Sequence, residues 1–196
     1  MVDHRWQRLS PADAADLLAG FPQPWWIAGG WAIDLFLGKA TRQHRDMDIA
    51  MLRGAEPALR AHFRSWDIQI AHDGAFEPWT GGPLPPRRHQ FWARPRKDGP
   101  WALELLLEDH AGGTWQFRRD ASVTLPVRRL TRTTRQGVPY LCPEVVLLYK
   151  AKFAEEGRNA ADFAVTAPAL DAAARRWLRV TLEQTYRGHP WLCQLK

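Results

Sequence analysis

The apolar and polar positions divide the chain into a first part that mixes strands with helices and a shorter last part that is helical. Strands are expected at 25–28, 46–52, 68–71, 89–94 and 101–108, and helices at 11–18, 31–37 and 56–63. Residues 118–140 indicate irregular short strands, and further helices are expected at 143–153, 159–164 and 171–186. The pattern predicts an α/β (α+β) fold, with a small mixed sheet in a core over residues 1–140 and a helical C-terminal subdomain over residues 141–196.

A pair of glycines stands where the first strand pattern gives way to a helical one. The apolar run Trp25–Ala28 ends at Gly29 and Gly30, and helical periodicity resumes at Trp31. Backbone N–H groups at such a turn can approach phosphate oxygens closely, and the positive end of the following helix attracts anions. The glycine pair therefore predicts an anion cradle.

Two carboxylates follow on the next predicted strand. Asp46, Met47, Asp48 and Ile49 alternate acid with apolar residues, so both acids are expected on one face. The spacing alone is weak evidence for a metal site, because two acids on a strand are often exposed to solvent and bind nothing. The loop between the glycines and the acids adds four basic residues: Lys39, Arg42, His44 and Arg45. Paired carboxylates beside a phosphate cradle suit Mg²⁺, which prefers oxygen ligands, and two such ions can clamp both oxygens of an in-line displacement.

A third carboxylate is needed from a neighbouring strand, and Glu104, Glu108 and Asp109 are the candidates. If alternate leucines of the strand 101–108 face the core, Glu104 and Glu108 share the opposite, wet face. Glu104 lies mid-strand, so it is the expected third ligand and proton acceptor. Glu108 is the alternative.

Composition favours one folded domain outside any membrane. The chain has 196 residues, of which 45% are hydrophobic and 24% charged. Its two cysteines are too few and too distant to suggest a disulfide framework or a zinc site. The N-terminal ten residues are charged where a signal peptide would be apolar, so a cytoplasmic location without a membrane partner is expected.

The charge is unevenly distributed. Residues 1–86 hold 8 Lys/Arg against 10 Asp/Glu, whereas residues 87–196 hold 19 against 11. Six arginines lie between Gly112 and Leu141, with one acid among them: Arg118, Arg119, Arg128, Arg129, Arg132 and Arg135. Such a patch attracts nucleotide or RNA phosphate alike, and the same six arginines are equally consistent with a solvated face that binds no phosphate.

The segment WWIAGGWAIDLFLGKATRQHRDMDIAML, Trp25–Leu52, resembles the signature of the nucleotidyltransferase superfamily, and within it the aminoglycoside and lincosamide nucleotidyltransferases of antibiotic resistance. The later runs PYLCPEVVLLYKAK and NAADF resemble the helical part of those relatives. Gly30 stands where the superfamily usually has Ser, as it commonly does in the resistance branch. The resemblance implies a polymerase-beta-like catalytic core followed by a helical subdomain.

The resemblance also implies an activity and roles for particular residues. The reaction would move a nucleoside monophosphate, AMP being expected, from a nucleoside triphosphate to a hydroxyl, with two Mg²⁺ or Mn²⁺ ions. The implied metal ligands are Asp46, Asp48 and Glu104. The implied triphosphate contacts are Gly29, Gly30, Arg42, His44 and either Lys150 or Lys152.

The acceptor stays open at this point. The resemblance favours a small hydroxyl-bearing compound such as an aminoglycoside or a lincosamide. The basic second half suits a polycationic drug poorly unless four acids form a local acidic pocket: Glu77, Glu104, Glu108 and Asp109. The alternatives are a toxin-like nucleotidyltransferase acting on RNA or protein, a silent nucleotide sensor and a basic RNA-binding module.

Overall fold

A computed structural model of the chain describes residues 5–195. The first four residues of the N-terminal segment therefore lie outside the described part. The helices are α1 (Pro11–Leu17), α2 (Gly29–Leu37), α3 (Glu56–His62), α4 (Pro143–Ala151), α5 (Gly157–Thr166) and α6 (Ala172–Thr185). The strands are β1 (Trp25–Ile27), β2 (Asp48–Leu52), β3 (Asp67–His72), β4 (Ala75–Pro78), β5 (Gln90–Arg94), β6 (Leu103–Ala111), β7 (Thr114–Phe117), β8 (Asp120–Pro126), β9 (Thr131–Thr133) and β10 (Pro139–Leu141). Short 3₁₀ turns lie at Val127–Arg129, Ala167–Ala169 and Pro190–Gln194.

The strands form one mixed sheet in the order β4-β3-β5-β6-β2-β1-β10-β9, to which the β7–β8 hairpin is joined through β6. The pairs β2–β6 and β1–β10 are parallel, and the remaining pairs are antiparallel. The predicted mixed sheet is confirmed, together with the α/β class. Its centre is the β2–β6 pair, in which Ile49, Met51, Leu105 and Leu107 are fully buried.

The sheet is larger than the small sheet predicted from the sequence. Asp73 and Gly74 have φ of 48° and 75°, the left-handed geometry of a tight hairpin turn, so the chain reverses and β4 pairs with β3. Gly112 and Gly113 also have positive φ and turn β6 back into β7. Strand β8, in the region expected to hold irregular short strands, pairs with β7 in a hairpin whose register shifts between Gln116 and Phe117.

Two element boundaries near the glycine and acidic motifs differ from the prediction. Helix α2 begins at Gly29 rather than Trp31, so the glycine pair forms its first turn. Strand β2 begins at Asp48 rather than Asp46, so Asp46 lies in a bend before the strand. The expectation that strand alternation orients both acids is therefore wrong, and the bend positions Asp46.

The C-terminal helices pack directly on the sheet region. Residues Pro143–Leu148 of α4 are all buried, because α4 contacts both α2 and α6. The strand β10 pairs in parallel with β1 and spans Tyr140, where the subdomain boundary was placed. The division into 1–140 and 141–196 stays a prediction.

Among residues 5–195, no helix combines the length and apolar character needed to cross a membrane.

Candidate active site

A cavity of about 640 Å³ lies between the sheet and helices α2, α4 and α5. It brings together eight of the nine residues that the sequence singled out: Gly29, Gly30, Arg42, His44, Asp46, Asp48, Glu104 and Lys150. The ninth, Lys152, does not line it. Its side chain lies at the exposed end of α4, with Nζ 5.2 Å from the centre of the Phe153 ring. We refer to this space as the site cavity.

The glycine pair packs against the functional side chains so closely that no side chain would fit. Gly29 has φ of 58°, and a Cβ there would overlap the Oδ2 atom of Asp48. A Cβ on Gly30 would overlap the guanidinium of Arg42 and the ring of His44. The glycines therefore let the first turn of α2, with its free N–H groups, lie directly beside the acids and bases of the site cavity.

Three carboxylates, from neighbouring parts of the sheet region, line the site cavity: Asp46, Asp48 and Glu104. Asp48 and Glu104 are directly paired across the parallel strands β2 and β6, so their side chains emerge on the same face. Burial, together with the negative charge of Asp46, raises the pKa of Asp48 to about 7. Burial and the charges of Asp48 and Asp46 also raise the pKa of Glu104 well above its usual value. The site cavity therefore concentrates negative charge that a bound cation would stabilise.

The donor chemistry of these three acids fits Mg²⁺, which binds carboxylate oxygens and keeps several waters. Glu104 Oε1 accepts a hydrogen bond from Gln90 Nε2 at 2.9 Å, which fixes one of its oxygens. Within residues 5–195, no three acidic, histidine or cysteine side chains are already arranged around a single ion position. Joint ligation by Asp46, Asp48 and Glu104 therefore requires their side chains to turn toward one another.

His44 is held in place by a buried acid on α2. Its Nε2 lies 2.6 Å from Asp34 Oδ2, and the Asp34 side chain is only 4% exposed. The other oxygen of Asp34 accepts hydrogen bonds from the backbone N–H of Thr41, at 3.0 Å, and from its hydroxyl. The His44 ring also packs 4.4 Å from Trp31. These contacts leave Nδ1 facing Gly30.

Arg42 and Lys150 converge on one carboxylate of α5. Asp162 is 2% exposed and accepts from Arg42 Nε at 2.9 Å, from the second guanidinium nitrogen at 3.0 Å, and from Lys150 Nζ at 2.8 Å. Burial alone would raise the pKa of Asp162, but the bonds from Arg42 and Lys150 hold it below its usual value. Asp162 thus fixes two cations from separate elements at the edge of the site cavity.

The sequence comparisons point to one group of proteins. The family described as aminoglycoside-2''-adenylyltransferase matches residues 12–77. A 2''-aminoglycoside nucleotidyltransferase of Klebsiella pneumoniae is 49% identical over 43 residues, which is 22% of this chain and 21% of that protein. A 2''-aminoglycoside nucleotidyltransferase of Escherichia coli is 62% identical over 26 residues, 13% of this chain and 15% of that protein. The alignment with these curated relatives thus spans about a fifth of their length or less.

Solved structures extend the likeness to most of the chain. The crystal structure of ANT(2'')-Ia in complex with adenylyl-2''-tobramycin superposes with a TM-score of 0.59 at 18% identity, over 90% of this chain and 94% of that one. The lincomycin-bound lincosamide adenylyltransferase LnuA superposes with a TM-score of 0.54 at 15% identity, over 77% and 90%. The chain has the fold of a nucleotidyltransferase. The predicted likeness to aminoglycoside and lincosamide nucleotidyltransferases is confirmed.

Within this nucleotidyltransferase fold, the four acids that a polycationic drug would require in one acidic pocket do not all come together. Glu77 pairs with Arg88 and His72, and Asp109 pairs with Arg53 at 2.6 Å. Neither acid lines the site cavity. Glu108 lines it but is 2% exposed rather than solvated, because Trp115 and Tyr149 cover and bond its carboxylate. The alternation of β6 is thus regular only up to Leu107.

Sequence reasoning gave no role to Asp34, Asp162 or Tyr149. Asp34 carried one signal, since it is the single acid in the apolar helix sequence of α2 and such an acid is buried only with partners. Asp162 lies in the NAADF run, but its partners Arg42 and Lys150 are distant in sequence. Only the packing of α5 against the loop after α2 reveals that contact.

We predict that Asp162→Asn weakens nucleotide binding more than turnover. The change leaves two cations without their shared acid, so it should destabilise the fold by about 2 kcal/mol or more and let Arg42 and Lys150 move from the phosphates. Steady-state kinetics should show the KM for the nucleoside triphosphate rising about tenfold, as loss of a binding contact predicts.

The matched control is Asp67→Asn. Asp67 and Arg94 form an ion pair at 2.7 Å. Both side chains are partly buried, and neither residue lines the site cavity. This variant should lose stability but keep the wild-type KM for nucleotide. Equal KM values in both variants would show that Asp162 has only a structural role.

Proposed function

We propose that the protein transfers a nucleoside monophosphate, AMP in the first instance, from a nucleoside triphosphate to a hydroxyl of a small antibiotic-like molecule. The observation that carries the proposal is the pairing of Asp48 with Glu104 across β2 and β6, beside Asp46 and the Gly29–Gly30 turn. This arrangement places carboxylates, an anion cradle and two fixed cations in one cavity. The similarity to aminoglycoside and lincosamide nucleotidyltransferases supports the same reaction.

Different residues of the site cavity have different roles in the proposed reaction. The N–H groups of Gly29 and Gly30, with Arg42, His44 and Lys150, bind the triphosphate and neutralise its charge. The acceptor hydroxyl attacks the α-phosphorus, its oxygen forms the new P–O bond, and the bond to pyrophosphate breaks. Glu104 accepts the hydroxyl proton, and because Oε1 is bonded to Gln90, Oε2 is the free atom.

Asp46, Asp48 and Glu104 would hold the divalent metal. The bound metal would neutralise negative charge on the phosphates and the acids. The protein contributes mainly orientation and preformed electrostatics, so no covalent enzyme intermediate is required.

The six arginines between Gly112 and Leu141 do not favour RNA as the acceptor. Arg118 lines the site cavity, Arg119 bonds the Tyr149 carbonyl, and Arg132 pairs with Asp171. The remaining three of the six are exposed at the surface: Arg128, Arg129 and Arg135. Half of the six arginines are therefore engaged within the protein or its site cavity, which does not suit one continuous phosphate track.

We expect ATP to raise the melting temperature only when Mg²⁺ or Mn²⁺ is also present, because the three acids repel the triphosphate without a cation. Thermal unfolding with and without EDTA measures this effect. Incubation with labelled nucleoside triphosphates and an acceptor panel then tests transfer itself. An equal shift in EDTA would contradict the metal-binding role, and absence of transfer to every acceptor would contradict the function.

A further inference from the structure

The site cavity has two ends with different charge. Gly29 and Gly30 mark one end, where the backbone N–H of Ala28 bonds the Asp48 carbonyl. The other end follows β6 beyond Glu104 and is lined by Leu106, Glu108, Arg118 and Tyr149, which we name the acceptor end. Arg118 is the basic residue of the acceptor end, whereas Arg42 and Lys150 are held by Asp162 of α5.

The acidic residue of the acceptor end is already occupied. Glu108 Oε2 accepts from Trp115 Nε1 at 2.6 Å and from the Tyr149 hydroxyl at 2.5 Å. The residue is 2% exposed. Two donors within the protein already bond this oxygen, and the side chain is almost wholly buried, so Glu108 presents little accessible negative charge to a cationic acceptor.

Arg118 supplies the accessible charge of the acceptor end. Its guanidinium stacks on the Tyr149 ring, with Cζ 4.4 Å from the ring centre, in the arrangement typical of a cation–π contact. In the described part of the chain, no carboxylate lies within ion-pair distance of it. Burial is the main cause that lowers the pKa of His89 to about 4, and the positive charge of Arg118 is the next. Arg118 is thus a fixed cation available to ligands.

We propose that Arg118 makes the acceptor end select hydroxylated acceptors that are neutral or anionic there, and disfavour polycationic ones. The inference rests on the proposed function and narrows its substrate class. An ammonium group beside an unpaired guanidinium is repelled, whereas a hydroxyl or carboxylate can accept its hydrogen bonds. Glu77 and Asp109, which could have attracted a polycation, are paired elsewhere.

The test compares two acceptors that differ in charge. Tobramycin carries several ammonium groups at neutral pH, and lincomycin carries a single basic amine. Wild-type protein should transfer AMP to lincomycin with the higher kcat/KM, and Arg118→Glu should lower the lincomycin-to-tobramycin ratio on the order of tenfold or more. Arg118→Gln should lower it less. Arg129→Glu is the matched control, because Arg129 is exposed outside the site cavity and the variant should keep the wild-type ratio.

Calorimetric titration with tobramycin separates this inference from the proposed function. Arg118→Glu should bind tobramycin on the order of tenfold more tightly than wild type, whether or not transfer occurs. If no transfer occurs but Arg118→Glu still binds tobramycin more tightly, the proposed function is rejected and the inference about Arg118 stands. A wild-type preference for tobramycin, or unchanged tobramycin affinity in folded Arg118→Glu and Arg118→Gln, would overturn the inference.

Discussion

Asp48→Asn should abolish nucleotidyl transfer while leaving the protein as stable as wild type or more stable. Asn keeps the size of the side chain beside Gly29 but removes a metal-binding oxygen charge, so turnover should fall by roughly 10³-fold or more. In the metal-free protein, Asp48 is buried beside Asp46 and Glu104, which disfavours its charge. Removing that charge relieves repulsion, and the free energy of unfolding should hold or rise by about 1 kcal/mol. Labelled-nucleotide transfer and thermal unfolding in EDTA measure the two effects.

Asp109→Asn makes the same substitution outside the site cavity. Asp109 pairs with Arg53, so this variant should keep turnover and lose a little stability. Loss of activity with retained stability in Asp48→Asn, against retained activity with reduced stability in Asp109→Asn, would identify Asp48 as functional rather than structural. If Asp48→Asn does not fold, and loss of folding alone explains its loss of activity, Asp48 is a structural acid and the metal assignment is wrong.

The strand and helix pattern predicted the mixed fold because most elements carry a clear local period. The run at 25–28, the strand that ends at Leu52 and the apolar helix after Pro143 all lie where that period placed them, within a few residues. The pattern could not place the β7–β8 hairpin, since its turn holds two arginines, Arg118 and Arg119, and its apolar positions are scattered. It also could not place β4, which depends on the left-handed turn at Asp73 and Gly74.

The candidate site was predictable to the extent that its residues are close in sequence. Gly29, Gly30, Asp46 and Asp48 lie within one segment, and the strand parity of Glu104 was sufficient to place it opposite Asp48. The partners that hold the site together come from distant elements. Asp162 binds Arg42 across 120 positions, and Tyr149 binds Glu108 across 41. Such pairings depend on tertiary packing, which no local pattern encodes.

Glu104→Gln should lower turnover by about 10²-fold or more and change nucleotide affinity much less. Gln keeps the size of the side chain and its bond with Gln90 can be preserved, but it cannot accept the proton of the attacking hydroxyl. The burial and the neighbouring acids that raise the pKa of Glu104 make it a stronger base than an exposed glutamate. Single-turnover measurements at saturating nucleotide separate this chemical effect from binding.

Glu108→Gln is the control within the same strand. Glu108 lies four residues, about 13 Å, further along β6, too far for it and Glu104 to bind the same pair of metal ions. Because its carboxylate is buried and bonded to Trp115 and Tyr149, the change should alter stability or acceptor affinity and leave the chemical step nearly intact. Should Glu108→Gln stop turnover and Glu104→Gln not, the proton acceptor would be Glu108, and Tyr149 would then be the residue that positions it.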